Sequence, residues 1–67
     1  MITLTINGDS HTCETATTLS ALLISLELDP KKVAVERNLE IVPKSQFDSQ
    51  MIENNDNLEI VHFIGGG

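Results

Sequence analysis

The sequence predicts an α+β fold in which one main helix lies across one face of a mixed, five-stranded sheet. Three observations predict it. Ile2, Leu4 and Ile6 alternate with Thr3 and Thr5, the period of two that marks a strand with one buried face. Leu19, Leu22, Leu23 and Leu26 follow the spacing i, i+3, i+4, i+7, which is a single helical stripe. Two hairpins and a final strand outnumber the helices, and one leucine stripe suffices to cover one face of a sheet. The other face is then left to solvent or to a partner.

The elements follow in order. Asn7-Gly8, after the first strand, suits the positive φ angles of a two-residue hairpin turn. The return strand covers about Asp9 to Glu14, with Cys13 pointing inward. Thr17 or Thr18 caps the helix, and Asp29-Pro30 ends it, because a residue before proline is pushed out of the helical region. Lys31 and Lys32 then sit just past the helix end, where positive charge suits the dipole. Val33-Ala34-Val35 opens a third strand, Glu36 to Glu40 reads as a turn, and Ile41-Val42 returns before Pro43, a residue suited to a strand end or edge. Ser45 caps a short helical turn through Phe47, with Phe47, Met51 and Ile52 forming a second apolar cluster. Asn54 to Asn57 is a turn by composition, and Leu58 to Ile64 is the last strand. With Leu58 and Ile60 turned toward the helix, Glu59, Val61 and Phe63 fall on the open face.

At 67 residues the chain is one small domain, 1–64, with a tail of three glycines, 65–67. A chain of this size buries only about 60% of its extended surface, so a large enclosed pocket is not expected and stability should be modest. Two Phe and no Tyr or Trp make the core aliphatic. Ten acidic against four basic residues give a net charge of −6, which disfavours nucleic acid and anionic membrane as partners and favours a basic protein surface. Cys13 is the single cysteine, so neither an internal disulfide nor a zinc-site pattern is available. The alternating N-terminus lacks a basic region and a long apolar run, so it reads as neither signal peptide nor membrane span. A cytoplasmic, reducing location is the expectation.

No nucleophile and base stand in a recognisable arrangement. Cys13 in a short half-apolar strand reads as an inert thiol, His11 and His62 fall on different strands, and the ten carboxylates show no fixed spacing and read as solvated surface. Gly8 is a turn residue rather than part of a phosphate loop. The chain is therefore read as a carrier or binding module rather than an enzyme. The chemistry left is that of the Gly67 carboxylate. Glycine lacks Cβ and can enter a channel too narrow for other residues, and three extended residues project the carboxylate about 10 Å beyond the last strand. A carboxylate with a pKa near ~3.5 is ionised and a poor electrophile. It reacts once a separate enzyme adenylates it with ATP, after which sulfur captures it as a thiocarboxylate or an amine captures it as a conjugate.

The Ile6-Asn7-Gly8 turn, Val33-Ala34-Val35-Glu36-Arg37-Asn38, Ile41-Val42-Pro43-Lys44-Ser45, and above all Leu58-Glu59-Ile60-Val61-His62-Phe63-Ile64-Gly65-Gly66-Gly67 resemble the ThiS sulfur-carrier family of thiamine biosynthesis. The resemblance runs along the whole chain and implies a ubiquitin-like β-grasp fold. It further implies that Gly67, with Gly65 and Gly66 as its tether, is adenylated by a ThiF-type activating enzyme that uses ATP. The residue then takes sulfur from a donor protein as a thiocarboxylate and gives it to the thiazole synthase ThiG. No bound cofactor is implied. Val61 and Phe63 are the expected partner interface. The alternatives are a thiocarboxylate carrier for molybdopterin synthesis and a ubiquitin-like protein modifier.

Overall fold

The computed structural model describes residues 1–63; Ile64 and the Gly65, Gly66 and Gly67 tail lie outside them. Strands β1 (Ile2–Ile6), β2 (Asp9–Cys13), β3 (Val33–Arg37), β4 (Glu40–Ile41) and β5 (Asn57–His62) form one sheet in the order β2-β1-β5-β3-β4. β1 and β5 are parallel and the other neighbours antiparallel, so the sheet is mixed. Helix α1 (Leu19–Ser25) contributes Leu19, Leu22 and Leu23 to the core. They pack in one cluster with Ile2, Leu4 and Ile6 of β1, Val33 and Val35 of β3, and Leu58 of β5. No helix of the described residues is long and apolar enough to cross a membrane.

Asn7 (φ 50°) and Gly8 (φ 86°) make the expected hairpin turn. Asn7 does more than turn the chain. Its Oδ1 accepts from the Ile60 N–H at 2.7 Å and its Nδ2 donates to the Ile60 carbonyl at 3.1 Å, extending the β1–β5 pairing by one side chain. Thr18 is the helix cap, its hydroxyl accepting from the Ala21 N–H at 3.2 Å. The Leu19 and Ser20 amides, which have no partner inside the helix, donate to the carbonyls of Gln50 and Phe47. Segment 47–52 thus closes the helix start while Phe47 and Ile52 enter the core.

Four expectations are corrected. The helix ends before Asp29-Pro30: the Glu27 N–H donates to the Ile24 carbonyl and the Leu28 N–H to the Leu23 carbonyl, both at 2.9 Å, with Glu27 in the left-handed region at φ 62°. That is a Schellman ending without its usual glycine. Asp29 and Pro30 instead start a 3₁₀ turn, Pro30–Lys32, with Asp29 capping the Lys31 N–H. Glu36 and Arg37 belong to β3 and pair with Glu59 and Leu58 of β5, so the turn shrinks to Asn38 and Leu39. Pro43, not Ser45, occupies the cap of the Lys44–Gln46 turn and makes no side-chain bond there. Phe47 and Ile52 join the main core rather than a second cluster, and Met51 is 39% exposed.

Glu27 yields a prediction. A left-handed L-residue costs roughly 1–2 kcal/mol; glycine, without a Cβ, escapes that cost, and its greater unfolded-state freedom offsets part of the gain. Glu27 is exposed, so Glu27→Gly should stabilise the domain by about 0.5–1 kcal/mol. Thermal melting checks this; a lower Tm would show that the Glu27 side chain itself supports the helix end.

Candidate functional site

The sheet face turned away from α1 presents its side chains in rows fixed by register. Ile41 of β4 stands beside Glu36 of β3, and Glu36 beside Glu59 of β5. One step along, Ala34 stands beside Val61. These residues, with Val35, line a groove of about 230 Å³. Ile41 is 66% and Val61 62% exposed. Alternation explains the set: Val33, Val35 and Leu58 spend one parity of β3 and β5 on the core, leaving Ala34, Glu36, Glu59 and Val61 outside.

The expected interface residues occupy different places. Val61 lines the groove, whereas Phe63 lies one residue past β5 and does not. The Phe63 N–H donates to the Lys32 carbonyl at 2.8 Å, and Lys44 Nζ sits 4.7 Å from the centre of its ring while donating to the Lys31 carbonyl. Such a cation above an aromatic face is worth about 0.5–1 kcal/mol where exposed. The strand is therefore held from two sides at the last described residue. Gly65, Gly66 and Gly67 lie outside the described residues.

Reading the carboxylates as solvated surface fails at Asp56, which is 4% exposed and the one buried charged residue among those described. Oδ2 accepts from Arg37 Nε at 2.9 Å and from the Glu53 N–H at 2.8 Å, and Oδ1 accepts from Asn38 Nδ2 at 3.1 Å. Asn38 Oδ1 in turn accepts from the Asn57 N–H. Arg37 has the same parity as the buried Val33 and Val35, so its guanidinium tucks under the rim of the sheet, where it also meets Glu53 at 2.8 Å. Burial pushes the Asp56 carboxyl up, but the hydrogen bonds from Arg37, the Glu53 amide and Asn38 outweigh it and hold the group below its ordinary range. The bond to Asp56 likewise raises the Arg37 guanidinium. The network ties the β3–β4 turn to the 53–56 loop and to the first residue of β5, Asn57. The single arginine of the sequence and an Asn-Asp-Asn run whose aspartate lies 19 residues further on are the available signal, and strand parity is needed to use it.

The remaining reactive side chains stay apart. Cys13 is half-buried against the core, at a groove shared with Met1, Thr17 and Ser25. His11 lies opposite Leu4 on β2, and His62 opposite Val33 on β5. Among the described residues, no three His, Cys, Asp or Glu side chains could hold a metal ion together.

Comparison with known proteins agrees with this architecture. The model of the ThiS family matches residues 4–67. A thiazole synthase of Paramagnetospirillum magneticum is 53% identical over 64 residues, 96% of this chain but 20% of that protein. The chain thus spans about a fifth of the length of the thiazole synthases that it matches. The sulfur carrier protein ThiS of Bacillus subtilis is 46% identical over 50 residues, 75% of this chain and 76% of that protein. The crystal structure of a thiamine biosynthesis protein (ThiS) from Geobacter metallireducens superposes with a TM-score of 0.83 at 30% identity, covering 98% of this chain and all of the other. The fold is the ubiquitin-like β-grasp, and, with the family model matching from the first strand through the final glycines, the chain belongs to the ThiS family.

Proposed function

We propose that this protein is a sulfur carrier of thiamine biosynthesis whose cargo rides on the Gly67 carboxylate. The observation that carries the reading is the family match extending through the glycine end, together with likeness to a relative named as a sulfur carrier. In the proposed reaction a Gly67 carboxylate oxygen attacks the α-phosphorus of ATP on a ThiF-type adenylating enzyme. A C–O–P bond forms and pyrophosphate leaves. The terminal sulfur of a persulfide on a donor protein then attacks the acyl carbon and AMP leaves, giving an acyl disulfide; a second thiol attacks the donor-side sulfur of that S–S bond, which forms a disulfide with the donor and releases the thiocarboxylate. That sulfur passes to a thiazole synthase, a partner supported by the thiazole synthases that contain a domain like this one.

The chain's own contribution is presentation. The β5 end is anchored through Phe63, and glycine at 65, 66 and 67 supplies backbone that a narrow channel admits. Val61 in the groove and Phe63 at the strand end form part of the docking surface, and the protein acts as a co-substrate rather than a catalyst. Incubation with the adenylating enzyme, ATP and a sulfur source should raise the intact mass by the difference between sulfur and oxygen. Lysine-linked adducts without any thiocarboxylate form would instead assign the protein to the modifiers.

A further inference from the structure

Three of the four Lys and Arg side chains gather where β5 ends. Lys44 Nζ donates to the Lys31 carbonyl at 2.8 Å and lies 4.7 Å from the centre of the Phe63 ring, while the Phe63 N–H donates to the Lys32 carbonyl at 2.8 Å. All three lysines are exposed. The fourth cation, Arg37, stands at the opposite end of β3 and makes both ion pairs found among the described residues, to Glu53 and Asp56. Further carboxylates crowd that opposite end: Glu40 stands beside Arg37, and Glu36 beside Glu59. In the lysine corner the carboxylates are Asp29, whose Oδ1 accepts from the Lys31 N–H, and Asp48, which accepts from the Ser20 hydroxyl. β5 therefore runs from the acidic end of the domain to the basic one. Among the described residues, every Lys or Arg side chain outside an ion pair rings the point where the chain leaves the sheet.

A net charge of −6 favours a basic partner, but that sum conceals the polarity. Lysines at the root of the tail meet whatever surrounds the tail first. The reacting phosphorus is beyond their range: four extended residues put Gly67 about 13 Å past Phe63, against a Debye length of about 8 Å at physiological ionic strength. We infer that Lys31, Lys32 and Lys44 form a cationic collar that fits an acidic rim around the channel of the adenylating enzyme and steers the tail-bearing end of the domain into that channel ahead of its acidic end. The identity of the enzyme rests on the proposed function; the chemistry of its rim rests on the charge distribution alone. The collar acts on orientation and encounter rate, because exposed ion pairs add little once formed. Lys44 also fixes Phe63, so the test leaves it in place.

Stopped-flow association of the full chain with the ThiF-type enzyme of the same organism tests the collar through the sign of a rate change. Two double variants lower the net charge equally, from −6 to −8: Lys31→Gln with Lys32→Gln in the collar, and Ser10→Glu with Thr12→Glu at exposed positions of the edge strand β2. Circular dichroism checks that both fold. The collar variant should associate about fivefold or more slowly than wild type at low ionic strength, with the difference closing as salt is added. The β2 variant should stay within about twofold of wild type. Association of the collar variant at the wild-type rate or faster overturns the inference, the faster rate pointing to a basic rim. Equal slowing in both variants overturns it too, since net charge alone then sets the rate, and so does absence of association by wild type. Failure of the wild-type chain to form a thiocarboxylate, measured separately by intact mass, counts against the carrier reading and not against the collar.

Discussion

Asp56→Ala is expected to remove much of the domain's stability. Three donors that converge on the carboxylate, Arg37 Nε, Asn38 Nδ2 and the Glu53 amide, lose their acceptor together. Leaving buried donors unsatisfied costs about 1–3 kcal/mol, and breaking a buried ion pair about 3–5. Arg37 retains some exposure, so a loss of roughly 2–4 kcal/mol follows by the same reasoning. At 0.05–0.15 kcal/mol per residue, a domain of this length has only about 3–10 kcal/mol in total. Tm should fall by roughly 10–25 °C. A change within about 0.5 kcal/mol would mean that Asp56 behaves as surface.

The same group sets the acid limb. The Asp56 carboxyl lies below its ordinary value when folded, so the unfolded chain binds its proton more tightly and protonation favours unfolding. Its contribution is complete above the unfolded carboxylate value of about 3.9 and is lost as pH falls through the lower folded value. Wild type should lose stability below about pH 4 more steeply than Asp56→Asn. Denaturant unfolding at several pH values reads the difference, and parallel acid limbs would remove Asp56 from the account.

What the sequence made legible was local. The Ile2, Leu4, Ile6 alternation, the Asn7-Gly8 turn and the leucine stripe each depend on neighbours within a few residues, and all are present in the structure. The misread features depend on partners far along the chain. Glu36 and Arg37 looked like turn residues because their polarity hid a strand, whose identity comes from pairing with Glu59 and Leu58. Asp56 is polar by composition and buried by position: only the parity of Arg37 and the return of β5 bring the guanidinium to it. Glu27 ends the helix through backbone bonds that other residues could also make, so no glycine advertises the stop. At the candidate site, the glycine end was visible in the sequence, whereas the groove and the Glu36–Glu59 pair needed cross-strand register.

The second large effect concerns the chemistry. If the Gly67 carboxylate is the nucleophile toward ATP, its oxygen must be the end of the chain, and residues added after it turn the carboxylate into an amide that has no such oxygen to offer. The domain itself should be untouched, because its core is built from residues between Ile2 and Leu58. Gly66→Val keeps the carboxylate but places a β-branched side chain in a channel meant for backbone and restricts the torsions beside it. Its melting curve and circular dichroism should match wild type while its activation falls sharply. ATP–pyrophosphate exchange on the adenylating enzyme decides the matter with three proteins: the chain ending at Gly67, the Gly66→Val variant, and a form extended beyond Gly67. Exchange should be robust with the first, much slower with the second and absent with the third; normal exchange with the extended form would contradict Gly67 as the reactive residue.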